Sequence, residues 1–445
     1  MPVVDIAEVA QKTNPLRAEV HWISTKRVEL EVYRIPVEHL YFNIENGRYA
    51  DRMIRLRHDN PGIVIDPKVE KWKTEIEKML AGEHKDTSRD KAAFEKLTED
   101  IRNREQLRPG VVTIDGGVID GNRRLAALRR LSAEARERFR FFDGVILPGN
   151  TTAEDRWRIE AGLQLGVNER WDYSPINELL KVRAGVRMYE EMIRNGQLPK
   201  SADPIQLVAQ AIYGKSDTQI REMVSRLDLI DEYLRFMKRP DSYDDIGPIS
   251  ERFLEATRVV QAAENNQRDP AFLAKLKAML FYAIDQDLMQ NWDVRWVYHA
   301  LGGDPKKKGP KKVANDTALN ALLNDFPEPK TIQQGMVAEA KSAASDREAE
   351  TPTGTKETAQ TALLDKAKLG AATEKFIRTM ESTTQAKTPR KIAAGAGAEI
   401  AALHAGLAKQ DVRNAMTADD RAAVLEAVES MQTMLTECLQ NLKRA

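Results

Sequence analysis

The stretch Val111–Leu131, VVTIDGGVIDGNRRLAALRRL, limits what this chain can fold into more than any other, because its apolar period changes partway along. Apolar residues alternate on either side of Asp115-Gly116-Gly117, the pattern of two short strands joined by a turn. Beyond Asp120-Gly121-Asn122-Arg123-Arg124 the spacing becomes helical, with Leu125, Leu128 and Leu131 on one side. Strand, turn, strand, glycine loop and helix in that order predict a mixed α and β layer arrangement. Such a loop aims backbone N–H groups and the positive end of a helix dipole at one point in space. Two adjacent arginines there can fork onto phosphate oxygens. The competing reading is a plain turn whose arginines are solvated surface charges.

The 445 residues suffice for two or three domains. Basic and acidic residues number 68 each, so any attraction for nucleic acid has to come from local patches. Charged residues are 31% and aromatics 6%, a balance that leans towards helix. Cys438 is the single cysteine, which excludes an internal disulfide and a Cys-rich zinc site and fits a reducing cytoplasm. The six histidines are scattered without metal-ligand spacing, and GxSxG, P-loop and dinucleotide-binding fingerprints are absent. No apolar run has the length of a membrane span or signal-peptide core, so a soluble, intracellular protein with no membrane partner is expected.

Along the chain, residues 1–27 read as a marginally ordered extension and 28–150 as a small α+β domain. Within it, 59–90 is charged and broken by Pro61, Gly62, Pro67 and Gly82; it reads as a solvated insertion, or else a lid, with one helical piece near Val69–Leu80. Ala92–Arg104 is amphipathic, with Phe94, Leu97 and Ile101 on one face. Residues 151–301 read as helical. Ser174-Pro175, Asp203-Pro204 and Ser216 are N-caps, the first two followed by proline at the first helical position. Two helices around the Tyr213-Gly214-Lys215 turn, about 204–228, have a helix-turn-helix pattern, although the turn is one residue longer than the common motif. Lys215, Ser216, Thr218, Gln219, Arg221, Ser225 and Arg226 would then face duplex DNA; a structural helix pair is the alternative. Residues 302–356 read as a flexible linker and 357–445 as helical. The last helix carries a heptad-like seam, Val424–Leu442, that would pair with a second copy or fold onto the preceding helices.

The order of four segments adds a resemblance. Asn43–Arg48 is an asparagine–arginine loop after a strand, and Gln106-Leu107-Arg108-Pro109 leads into VVTI. Gly121-Asn122-Arg123-Arg124-Leu125-Ala126-Ala127 follows, and then Asn168-Glu169-Arg170 ahead of Tyr173–Glu178. Together, over about Tyr33–Leu234, they resemble the ParB/sulfiredoxin superfamily, specifically prokaryotic ParB-like proteins with a helix-turn-helix. The resemblance implies an α+β nucleotide-binding domain, an all-α helix-turn-helix domain and a helical C-terminal region. It implies a nucleotide pocket, for CTP in ParB and ATP in sulfiredoxin-like and kinase-like relatives. Arg123 and Arg124, with Gly121 and Asn122, would take the phosphates; Arg48 would assist, and Asn168 and Arg170 would lie nearby. Asp120 and Glu169 are the acids closest to these loops and the candidates for holding Mg2+ against nucleotide oxygens. The implied role is nucleotide-gated DNA binding in partition, mobile-element maintenance or defence, associated with nucleoid or plasmid. A homodimer would form through the nucleotide domain or the last helix. The alternatives are a ParB-like nuclease or phosphotransferase, and a nucleotide-independent transcriptional regulator. Asn122 stands where the ParB motif has glutamate, and Val167 where the third segment has glutamate; each change removes a carboxylate beside the triphosphate.

Overall fold

The computed structural model describes residues 5–13, 15–23, 26–83, 88–134, 137–165, 174–212, 214–305, 314–348 and 364–385, with single positions between 407 and 432. Met1–Thr373 forms one compact unit and Glu374–Ala445 a second. Among the described residues, seven strands form a mixed sheet: β1 Gln11–Lys12, β2 Ala18–Ile23, β3 Lys26–Pro36, β4 Tyr41–Phe42, β5 Gly110–Val112, β6 Gly117–Asp120 and β7 Phe141–Ile146. The order is β1-β3-β7-β5-β6-β4, and β2 also pairs with β3. The long β3 is shared: Lys26–Glu31 pairs with β2, and Val32–Pro36 with β7. Within the extension expected to be marginally ordered, residues 11–12 and 18–23 are thus paired strands. Pairing with β3 supplies the backbone hydrogen bonds that this polar segment cannot make alone.

The helices of the N-terminal layers are α1 Ile6–Val9, α2 Ala50–Asp59, α3 Glu70–Ala81, α4 Ser88–Arg104, α5 Asn122–Ala133 and α6 Ala153–Leu165. Neighbouring residues of each strand face opposite sides of the sheet, and both sides are covered. Val112, Val118 and Phe142 join the core formed with α2 to α5, whereas Val111, Ile119 and Val145 join Ile159 of α6. Cover on both faces is why β5 and β6 read as nearly continuous apolar runs. The segment 59–90 is not a solvated excursion. Trp72, Ile76, Met79 and Leu80 of α3 are buried in the main core, and α4 buries Phe94 and Ile101 beside them.

A helical layer follows: α7 Pro175–Arg194, α8 Pro204–Ala211, α9 Asp217–Phe236, α10 Ser250–Asn265, α11 Pro270–Asp285, α12 Asn291–Ala300, α13 Asp316–Asp325, α14 Pro329–Glu348 and α15 Lys366–Gln385. The side chains of Ser174, Asp203, Ser216 and Asp269 accept backbone N–H bonds at the starts of α7, α8, α9 and α11. The stretch 302–356, expected to be a flexible linker, instead contains α13 and α14, and the first turns of α14 bury Ile332 and Met336. The expected seam Val424–Leu442 lies largely outside the described residues, as does most of the region 357–445 expected to be helical. Among the described residues, no helix is long and apolar enough to cross a membrane.

Candidate functional site

Parallel pairing of β4 with β6 (Tyr41↔Gly117, Phe42↔Val118) sets the two loops leaving their carboxyl ends side by side. In open α/β sheets that end is where ligands commonly bind. From β6 the chain turns at Gly121, whose φ of +102° is left-handed, and enters α5. A Cβ there would lie 2.8 Å from the buried ring of Phe142 and 3.0 Å from the Arg124 guanidinium, so conformation and space both require glycine. The first intrahelical bond of α5 is Leu125 N–H to the Gly121 carbonyl, at 2.9 Å. Helix geometry leaves the N–H groups of Asn122, Arg123 and Arg124 without intrahelical acceptors at the positive end of the dipole.

These loops and one side of α4 bound a cavity of about 770 Å³, within the range common for small-molecule sites. Arg48, Asp120, Gly121, Asn122, Arg123 and Arg124 all line it, so the structure brings these six expected residues together. Its other wall mixes the apolar Ala93, Leu97, Ile101 and Leu107 with charged side chains of α4 and just beyond it, among them Lys96, Glu99, Asp100 and Glu105.

The two adjacent arginines behave differently. Arg124 is tied into the fold: its guanidinium pairs with Asp120 at 2.6 Å and donates to the Arg108 carbonyl at 2.7 Å. Arg123 is half-buried, with its Cζ 5.8 Å from the Phe94 ring centroid. It donates to the Asp90 carbonyl at 3.1 Å, and its buried Nε has no partner. Burial first, then the charges of Arg48 and Arg52, push its pKa down to about 10 despite the opposing field of Asp90. A guanidinium stays charged at neutral pH, so the shift chiefly marks a cation held away from water.

Asn122 holds the two loops together. Its buried amide accepts from Asn43 N–H at 3.0 Å and donates to the Val118 carbonyl at 2.8 Å. Its side chain is thus committed to holding the fold. Asp120 is buried, with Oδ2 on Arg124 and Oδ1 accepting from Gln164 at 2.6 Å. Among the described residues, no group of three or more His, Cys, Asp or Glu side chains is placed to hold a metal ion. Asn168, Glu169 and Arg170 lie outside the described residues.

Two residues of α6 position both loops and were not singled out from the sequence. The Glu160 carboxylate accepts from Gly47 N–H at 2.8 Å and forms a buried pair with Lys181 of α7 at 2.7 Å. One turn later, Gln164 accepts from Arg48 at 3.1 Å and donates to Asp120. Their spacing of four was the readable signal: two polar residues on one face of a helix lacking a clean apolar stripe. Asn177 of α7 ties in the same loop, donating to the Arg48 carbonyl at 2.9 Å and accepting from Asp51 N–H at 2.9 Å.

The expected DNA-reading residues lie at the start of α9. It packs with α7 and α8 around Val182, Val208, Ile212 and Ile220. Thr218, Gln219 and Arg221 are exposed and Ser225 is partly so. Ser216 and Gln219 form a capping box, Lys215 pairs with Glu178 at 2.7 Å, and Arg221 pairs with Asp203 at 2.5 Å. Arg226 departs from expectation. It is buried and donates to the Ser250 carbonyl and to Glu251, because its side of α9 packs against the start of α10.

No family model, no curated protein and no solved structure matches this chain.

Proposed function

We propose that the chain binds a nucleoside triphosphate, CTP or ATP, in the cavity at the start of α5, and duplex DNA through the α8–α9 pair, as a ParB-like protein would. The observation carrying the nucleotide half is Arg123, a half-buried guanidinium that lines the cavity with Arg48 at the start of α5 and whose buried Nε has no partner. A phosphate there gains charge-assisted bonds and the N–H groups at the helix start together. The apolar side chains of Leu97 and Leu107 on the α4 side of the cavity would receive the nucleoside. With both oxygens of Asp120 engaged by Arg124 and Gln164, binding is better supported than phosphoryl transfer or nuclease chemistry.

Calorimetric titration with CTP and ATP, with and without duplex DNA, tests this reading. Arg123→Ala should weaken nucleotide binding about 10- to 100-fold, the scale of a lost charged hydrogen bond, without unfolding the protein. Wild-type protein that takes up neither nucleotide refutes the nucleotide half. For the DNA half, Arg221→Ala should lower duplex affinity and flatten its salt dependence; unchanged affinity across a salt series would refute it.

A further inference from the structure

We infer that Arg108 is a phosphate-binding residue of the cavity, and that Arg124, one of the two arginines expected in that role, positions it instead. The inference rests on the nucleotide reading above and names a further cation of that same site.

Both arginines line the cavity, but their guanidinium groups are differently engaged. The Arg124 side chain is only 17% exposed and is tied into the fold. One Nη donates to the Asp120 carboxylate; the other donates to the Arg108 carbonyl at 2.7 Å and, at longer range, to the Pro109 carbonyl at 3.3 Å. Turning to a phosphate would weaken the pair with Asp120, a buried carboxylate that needs its counter-charge.

The bonds that occupy Arg124 also fix Arg108. The Arg108 carbonyl accepts from Arg124 and from Gln106 Nε2 at 2.8 Å. Gln106 is itself buried and bonded to the backbone N–H and carbonyl of Asp143 in β7. Two side chains thus clamp one backbone oxygen. The clamp lies at the start of α5, since a Cβ on Gly121 would stand 3.0 Å from Arg124 Nη2. Arg108 is exposed, and its guanidinium has no hydrogen bond or ion pair among the described residues. Two acids that line the cavity nearby are paired elsewhere, Asp100 with Arg104 and Glu105 with Arg138. The fold therefore holds the Arg108 backbone beside the first N–H groups of α5 and leaves its charge for an anion. A side chain on a fixed backbone also loses less freedom on binding than one on a mobile loop.

The test is a double-mutant cycle in the full chain with Arg108→Ala and Arg124→Lys. Inorganic tripolyphosphate, CTP and ATP are titrated calorimetrically, and thermal unfolding checks that each variant is folded. Lysine at 124 keeps a cation for Asp120 and loses the fork onto the Arg108 and Pro109 carbonyls. Arg108→Ala should weaken all three probes about tenfold, the scale of a lost charged hydrogen bond, at unchanged thermal stability. Arg108→Lys should retain part of that affinity, because a cation remains. Arg124→Lys should weaken binding in the wild-type background and add almost nothing once residue 108 is alanine. Tripolyphosphate affinity within about twofold of wild type in Arg108→Ala overturns the phosphate role and leaves the nucleotide reading standing. An Arg124→Lys loss that persists in full beside Arg108→Ala, or no loss at all, overturns the positioning role. If Arg124→Lys does not fold, the exposed Arg108→Ala variant decides alone. Wild type that binds none of the three probes overturns the nucleotide reading itself, and this inference with it.

Discussion

Replacing Lys181 with methionine tests whether the Arg48 loop is held by charge. The Lys181 ammonium lies 2.7 Å from Glu160, and the two side chains are only 5% and 3% exposed. Breaking such a pair from one side strands a buried charge and typically costs about 3–5 kcal/mol. Methionine roughly conserves the volume, so little of the loss would come from a cavity. Glu160 keeps the Gly47 N–H at 2.8 Å and a longer contact from Asn43 at 3.4 Å. These remaining donors put the expected loss near the lower end, about 3 kcal/mol. Adding Glu160→Gln should recover most of it, because the amide oxygen can still accept from Gly47 while the stranded charge disappears. Urea unfolding followed by tryptophan fluorescence is a suitable assay, since the Trp157 ring centroid lies 6.0 Å from the ammonium. Nucleotide titration of the same proteins should show Lys181→Met weakening binding through the loosened loop. A single variant costing under about 1 kcal/mol, or a double variant as unstable as the sum of the singles, would refute the reasoning.

Gly121→Ala should cost about 2 kcal/mol or more and abolish most nucleotide affinity, because its φ of +102° and the 2.8 Å approach to Phe142 both oppose a side chain. Thermal unfolding and titration check it; a variant matching wild type in both would refute the loop geometry. Asp51 gives a pH prediction, since burial, set against Arg52 and Asn177, holds its pKa above the ordinary carboxylate range. The folded state binds that proton more tightly than the unfolded one, so the ionised group costs stability at neutral pH, and the cost fades as pH falls through the raised value. Asp51→Asn should therefore be at least as stable as wild type at neutral pH and lose that advantage on acidification. Denaturant midpoints at neutral and mildly acidic pH measure it, and an advantage that grows with acid would refute the assignment.

The sequence by itself determined what depends on residues within about one turn of each other. The change of period in Val111–Leu131 marked β5, β6 and α5, and the caps at Ser174, Asp203 and Ser216 marked the starts of α7, α8 and α9. Caps and apolar periods are short-range signals, and they survive without knowledge of the fold. Most of the candidate site was legible for the same reason, because a glycine before two arginines is a local pattern.

Only the tertiary structure decided what each of those groups does. Arg123 and Arg124 are neighbours of one chemical type, yet successive helical positions point about 100° apart. One lies beside Arg48 and Arg52 under Asp90, and the other turns back to Asp120 and the Arg108 carbonyl. Arg226 looked like a groove-reading arginine and is buried against Ser250, 24 residues further along the chain. Residues 11–12 and 18–23 are ordered by pairing with β3, and α3 by the core it helps to fill. Glu160 reaches Gly47 across 113 residues and holds the loop that carries Arg48. A partner that far along the chain leaves no periodic trace near either residue. The Gly121 loop was readable in one dimension, whereas Arg48 and the α4 wall that line the cavity with it come together only in the tertiary structure.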